Sequence, residues 1–507
     1  MRYSLCIIFL IIMSSLLVPQ EAPRFGGSLN IGLQADIGSL YPWQIKGRGM
    51  ESLLVLQNVY EPLVRFKKDS ADIEPCLATK WMPSKDYKTW TFNLRRDVKF
   101  HDGTAFNADS VVNTFALIPQ FTATVKKIDD YTVLFTLEKP NAAFVISLSI
   151  EYYSVAAAAS IACSKEKCNK QVAIGTGPFI FEQWTPGKDI TLRANLNYWN
   201  KRPYLDKVSF IIIKNNADLI NQLKAQKIQL TLGILPNNIA EIKNIPHLNF
   251  QSLPALSIGY LAMNNEKPPF NNKKVRMAIS HAINKKELVN KYFFNGQAGI
   301  VAKGCLPAAM FGYDKEQPDR EYNPQKAKAL LKEAGFPDGF ETTLTPTAAI
   351  RSYSPDPEGI AVDIQKYLGT VGIKAQIVPE KSWKDYLDKT HVGTFELALT
   401  GWMADTVDPN DFLTFLLTTP AINSTNTARW SNSIFDNLIE QARMQSISER
   451  IKSYQEAQKI FYEEMPFVPI ANSMQLAAWN AKVKGFKLHP ASRLSTQYIW
   501  LSKGSNL

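Results

Sequence analysis

The sequence predicts an α/β protein built from two packed lobes, and three observations carry that expectation. The chain has 507 residues, more than one hydrophobic core usually organises, so two or three packed units are expected. Its first half is rich in strands and passes into a β-α-β run. Its second half alternates helices with short buried strands, the trace that crossover helices and parallel strands leave in a sequence. Composition is that of a soluble globular protein, 45% hydrophobic and 11% aromatic. The net charge of +11 is scattered without a Lys/Arg block, which argues against a nucleic-acid partner.

Taken in order, the chain opens with Arg2 and an apolar run from Leu5 to Val18. That run is short for a bilayer span and reads as an export signal over residues 1–22, so the mature protein is expected outside the cytoplasm. Cys6 precedes the run, which argues against a lipid-modified cysteine. SLNIGLQ, TWTFNLR and YTVLFTL then alternate as half-buried strands do. Between the last two, Asn107 caps a helix through DSVVNTFAL. GTGPFIFEQW and DITLRANLNYW flank Pro186-Gly187 and read as a hairpin. VSFIIIK, NADLINQLKAQ and IQLTLGI form the β-α-β unit, with a parallel pair as the expectation. LSIGYLAMN is another strand, and PPFNNKKVRMAISHAINKKELVNKYF reads as one long helix. Asn323, Pro324 and Gly335 bracket the next helix as cap, first turn and stop. PEGIAVDIQKYLGTVG and KSWKDYLDK are helices, with the strand IKAQIV between them and the strand FELALTGW after them. Two further helices lead to the extended MPFVPIANSMQLAAW. The chain can cross between lobes near Met263 and again near Asn472.

Chemistry is sparse. No G-x-S-x-G elbow, H-E-x-x-H helix or phosphate loop is present, so an enzyme is not expected. The five histidines lie far apart and no Cys-x-x-Cys exists, which disfavours zinc; neither metal nor cofactor is expected. Cys163 and Cys168 enclose SKEK and form either a short-loop disulfide or two free thiols. The notable stretch is GWMADTVDPNDF, with Asp405, Asp408 and Asp411 at the end of an apolar strand. Their three-residue spacing fails the calcium-loop pattern. Asp408 before Pro409 suits a helix cap, and Asp411 suits the positive end of that helix. Asp405 has no such structural task and stands where α/β lobes bind ligands.

SLYPW, YEPLVRF, LATKWMPSKDYKTWTFNLRRDVKFHDGTAFNADSVVNTF, GTGPFIFEQW, YLAMNNEKPPFNNKKVRMAISHAINKKELV and ARWSNSIFDNLIEQA together resemble the dipeptide- and oligopeptide-binding solute receptors of ABC importers, the extracellular solute-binding protein family 5. GWMADTVDPNDF and MPFVPIANSMQLAAW look most like SapA-type members, associated with antimicrobial-peptide resistance. The resemblance implies a two-lobed periplasmic-binding-protein fold, class II-like and of cluster C, with an extra β-rich subdomain and a hinge. Lobe one would hold 23–263 and 472–507, with the subdomain at 60–172, and lobe two 264–471. It implies a monomer in the periplasm that captures a short peptide and docks on the inner-membrane subunits of an ABC permease. Residue by residue, it implies that Asp405 receives the ligand ammonium and that Arg351, in RSYSPDP, holds the ligand carboxylate. Trp402, Gly401 and Tyr41 are further candidate contacts. Haem, a metal chelate, a polyamine, or sequestration of peptides without transport are the alternatives on the same fold. The cysteine pair of dipeptide-binding relatives is replaced here by Thr419 and Ser431.

Overall fold

The long strand Phe467–Asn480 belongs to both lobes and organises everything around it. The computed structural model describes residues 21–45, 49–68, 70, 72–119, 121–165, 171–404 and 406–503. Residues 1–20 of the expected export signal, together with Asp405 and Cys168, lie outside the described residues. With its first half the shared strand pairs antiparallel with Ser257–Met263, and with its second half it pairs with Leu248–Pro254 and Leu230–Thr231. These pairings make one twelve-stranded sheet that divides into two lobes.

In the first lobe, Ser28–Leu33 lies between Lys207–Ile212 and Leu230–Thr231 and is parallel to both. The β-α-β unit is therefore real, but its strands are not neighbours, because the first strand of the chain inserts between them. Asn215 caps the crossover helix Asn216–Lys224 by accepting from the Asp218 amide at 3.1 Å. In the second lobe, Leu397–Met403 runs parallel to Glu341–Thr345 and antiparallel to Ser257–Met263. All seven residues of Ser257–Met263 are buried. Leu261 and Met263 pack with Val275, Ile279 and Ile364, while Ile258 and Tyr260 pack with Phe412, Phe461 and Phe467. Helices thus cover both faces, which explains a strand with no polar side.

Two expectations are corrected here. Ser257–Met263 pairs along its whole length with Leu397–Met403, so the first crossing lies between Pro254 and Ser257 rather than near Met263. The single long helix is two, Lys273–Ala282 and Lys285–Tyr292. Ile283 is extended between them, and the Asn284 side chain accepts from the Glu287 amide at 3.2 Å to start the second. The caps read at Asn107 and Asn323 accept from Ser110 and Lys326 at 3.1 and 2.9 Å.

The subdomain is an antiparallel sheet of four strands, Ala78–Pro83, Thr89–Leu94, Thr132–Leu137 and Ala123–Asp129 in spatial order. Trp90, Phe92, Val133 and Phe135 point inward, and Phe115 of the helix Ala108–Phe115 meets Phe135 edge-on with centroids 5.1 Å apart. Gly175 and Gly177 let their loop press on the backbone of Asn58–Tyr60. A Cβ at Gly175 would stand 2.1 Å from the Val59 carbonyl oxygen.

The same loop holds His101. Its Nδ1 accepts from the Gly175 amide at 3.3 Å and its Nε2 reaches the Gly177 carbonyl at 3.0 Å, the pattern of a neutral ring. Burial pulls this imidazole down to about 4, with the Gly177 carbonyl opposing. The unfolded ring, near 6.5, takes a proton that the folded ring refuses, so its contribution is full above about pH 6.5 and lost as pH falls toward 4. We expect roughly 2–3 kcal/mol of stability to disappear over that window through this group. Urea midpoints at pH 7 and 4.5 should differ less in His101→Gln than in the native chain; equal differences would refute the assignment.

Candidate ligand-binding cleft

The loop after Glu341–Thr345 turns back at RSYS. The Arg351 and Ser354 backbones bond reciprocally at 3.1 and 2.9 Å, making a tight turn. Tyr353 at its tip lies on a place where two strands lack side chains. Gly259 and Gly401 are register partners. A Cβ at Gly259 would come 2.4 Å from the Tyr353 carbonyl oxygen, and one at Gly401 would come 2.3 Å from the Tyr353 ring. The space that a side chain at Gly401 would fill is taken by Tyr353. A mid-strand glycine marks close approach by backbone or ring. Burial raises the Tyr353 hydroxyl pKa, and the charge of Arg351 opposes that rise.

Arg351 is exposed, and its guanidinium stands over the Trp383 ring at 4.7 Å. The turn is tied to the crossing point by hydroxyls: Ser473 donates to Ser352 at 3.2 Å and its amide donates to Ser257 Oγ at 3.2 Å. Asn472 donates to the Ser257 carbonyl at 2.9 Å. The RSYSPDP turn, the glycine pair and both crossing segments thus meet at one place.

Trp402 follows Gly401 and turns away from Tyr353. Its indole donates to Asp411 at 3.2 Å and its ring faces Phe415 at 5.9 Å. The two described acids of GWMADTVDPNDF have different partners. Asp411 receives Trp402. Asp408 accepts from the Asn410 amide at 3.0 Å, as a cap does, although the regular helix Asn410–Leu417 starts after Pro409. Asp408 also receives Arg450, a partner 42 positions away that local sequence reasoning had no signal for. Arg450 Nη2 donates to both carboxylate oxygens at 2.5 and 2.6 Å and to Tyr454 at 2.7 Å. Burial pulls the guanidinium down, but Asp408 and Tyr454 together hold it above its ordinary value.

Tyr41 belongs to another neighbourhood, stacked on Trp43 at 5.7 Å against the first-lobe core, where burial raises its hydroxyl pKa. Cys163 is disulfide-bonded, while Cys76 and Cys305 are buried free thiols. The Thr419 and Ser431 hydroxyls bond at 2.8 Å.

Further out, the subdomain faces the second lobe across a cleft of about 430 Å³. Its rim is closed on one side where the Ala142 amide donates to the Arg443 carbonyl at 2.8 Å. Among the described residues no group of three or more His, Cys, Asp or Glu is placed to hold a metal, and no helix is long and apolar enough to cross a membrane.

Two lobes sharing a central strand, with a cleft between them and charged and aromatic groups gathered at the crossing, define the class of two-lobed solute-binding receptors. The chain belongs to family 5 of these proteins: residues 72–424 match the family model described as bacterial extracellular solute-binding proteins, family 5 Middle. It is similar to the heme-binding protein A of Haemophilus influenzae, at 34% identity over 86% of this chain and 85% of that protein. It is also similar to the dipeptide-binding protein of Escherichia coli, at 33% over 86% and 87%, and to the peptide transport periplasmic protein SapA of Salmonella typhimurium, at 31% over 86% and 85%. Among solved structures, HbpA2 from Haemophilus parasuis superposes with a TM-score of 0.86 at 31% identity, covering 94% of this chain and all of that one. DppA from Helicobacter pylori, in complex with the peptide STSA, superposes at 0.79 and 31% identity, covering 95% and 99%.

Proposed function

We propose that the protein is the periplasmic receptor of an ABC importer, capturing short peptides between its lobes and delivering them to the permease. The observation that carries this reading is the position of Arg351. Its guanidinium is held over Trp383 beside the crossing point, close in the fold to the strand that leads through Gly401 and Trp402 toward Asp405. A fixed cation suits a ligand carboxylate, and an acid on the following segment suits an ammonium. No covalent chemistry is assigned; closure of the lobes is the working step. We also assign Cys168 as the partner of Cys163, from their spacing in an exported chain.

The test is thermal denaturation of protein unfolded and refolded to strip carried ligand. Di- to pentapeptides at a hundred times their dissociation constant should add about 2.7 kcal/mol of stability. Asp405→Asn should weaken free-amino peptides far more than N-acetylated ones, and equal weakening would remove the role given to Asp405. Haem is the second reading, favoured by the similarity to the Haemophilus influenzae protein. A melting point raised by haem and untouched by peptides would decide for it.

A further inference from the structure

The helix Asn410–Leu417 buries Phe412, Leu413, Leu416 and Leu417, yet Phe415 stays 40% exposed on the side of the cleft. Across the cleft the subdomain presents Phe121, Phe144 and Tyr153. Phe121 and Tyr153 have centroids 5.7 Å apart, and Phe121 and Phe144 6.4 Å. Phe121 and Tyr153 are only partly covered. Charged groups stand at the rim, with Lys139 on one wall and Arg443 on the other. Of the three acids in the wall, Asp408 is engaged by Arg450 and Asp411 by the Trp402 indole, while Glu138 is exposed beside Lys139. The rings are the large apolar contact surface of the cavity, and the volume, about 430 Å³, falls in the range of small-molecule sites.

We propose that this aromatic-walled cavity is a specificity subsite that takes a large apolar side chain, aromatic or branched, from one of the first two residues of the bound peptide. The inference rests on the peptide reading above and deepens it. Its placement follows from chain continuity. Thr406, in the cavity wall, directly follows Asp405, the residue assigned to the ligand ammonium, and Trp402 bridges to Asp411 on the same wall. A side chain near the amino end reaches the cavity first. Offset and edge-on contacts with rings from both lobes would then form only when the lobes are together, so the side chain would also favour the closed form.

Isothermal titration of the refolded full chain with Ala-Ala-Ala, Phe-Ala-Ala, Ala-Phe-Ala and Ala-Ala-Phe tests this. One of the two peptides with phenylalanine at the first or second position should bind at least about tenfold more tightly than Ala-Ala-Ala, the ratio that burial of one such ring supports. In Phe415→Ala that ratio should collapse to within about twofold, and Phe121→Ala, on the opposite wall, should collapse it independently. Circular dichroism melts of both variants check that the fold persists. Equal affinity for all four peptides, a preference confined to Ala-Ala-Phe, or a preference that survives both substitutions would overturn the subsite. If none of the four binds the native chain, the peptide reading falls and the subsite with it, an outcome distinct from even binding.

Discussion

Replacing Asp408 with alanine is expected to cost about 3–5 kcal/mol of stability, read as a drop in the urea midpoint. Asp408 and Arg450 are each 2% exposed. The guanidinium gives one nitrogen to both carboxylate oxygens and to Tyr454, and it sits against the ring of Phe311 at 5.6 Å. Removing the carboxylate strands a cation among Phe311, Tyr454 and the second-lobe core, where water reaches it poorly. Removing both charges together, as Asp408→Leu with Arg450→Met, should cost much less than the two single changes summed, because no charge is left unpaired. A single-substitution cost below about 1 kcal/mol would mean that the pair is solvated in solution. The pair also anchors the segment after Met403 to the helix Ile447–Glu464, so ligand affinity should fall along with stability.

Gly401→Ala is the second large effect expected. The new methyl would stand 2.3 Å from the Tyr353 ring and 2.5 Å from the Ile258 carbonyl oxygen. The ring can move, but the paired strand cannot do so cheaply. We expect a stability loss of roughly 1–3 kcal/mol, and a peptide affinity reduced by about tenfold or more as Arg351 moves with its turn. Adding Tyr353→Ala should recover only the part due to the ring. Unchanged melting, unchanged affinity and unchanged protease resistance of the 346–356 loop would together contradict this packing argument.

The caps at Asn107 and Asn323 were legible in the sequence because capping is decided within one turn of chain. The strand Ser257–Met263 was legible because burial on both faces leaves an apolar run, and Leu397–Met403 because its apolar residues alternate along the stretch that leads into it. What escaped were facts of long range. Nothing near Ile31 announces that its strand will divide Lys207–Ile212 from Leu230–Thr231. The break at Ile283 was hidden because apolar spacing continues across it, and only Asn284, a cap in mid-pattern, signalled it. At the site, RSYSPDP and the two mid-strand glycines were each visible, but their meeting through Tyr353 needed the fold. Asp408 was read as a local cap, which it partly is, while its charge partner lay on a distant helix.

The shared strand Phe467–Asn480 has a mechanical consequence. Both links between the lobes, the segment joining Pro254 to Ser257 and the middle of the shared strand, are adjacent, and the Ala255 amide bonds the Ser473 carbonyl at 3.0 Å. Two bonded strands form a flexure: thin in one direction and cross-tied in the other, it swings about one axis and resists sliding and twisting. Groups on the two lobes would therefore return to the same register on every closing stroke. Side chains at the flexure, such as Ser257 and Ser473, can then set how far the resting molecule stands open without ever touching what it carries.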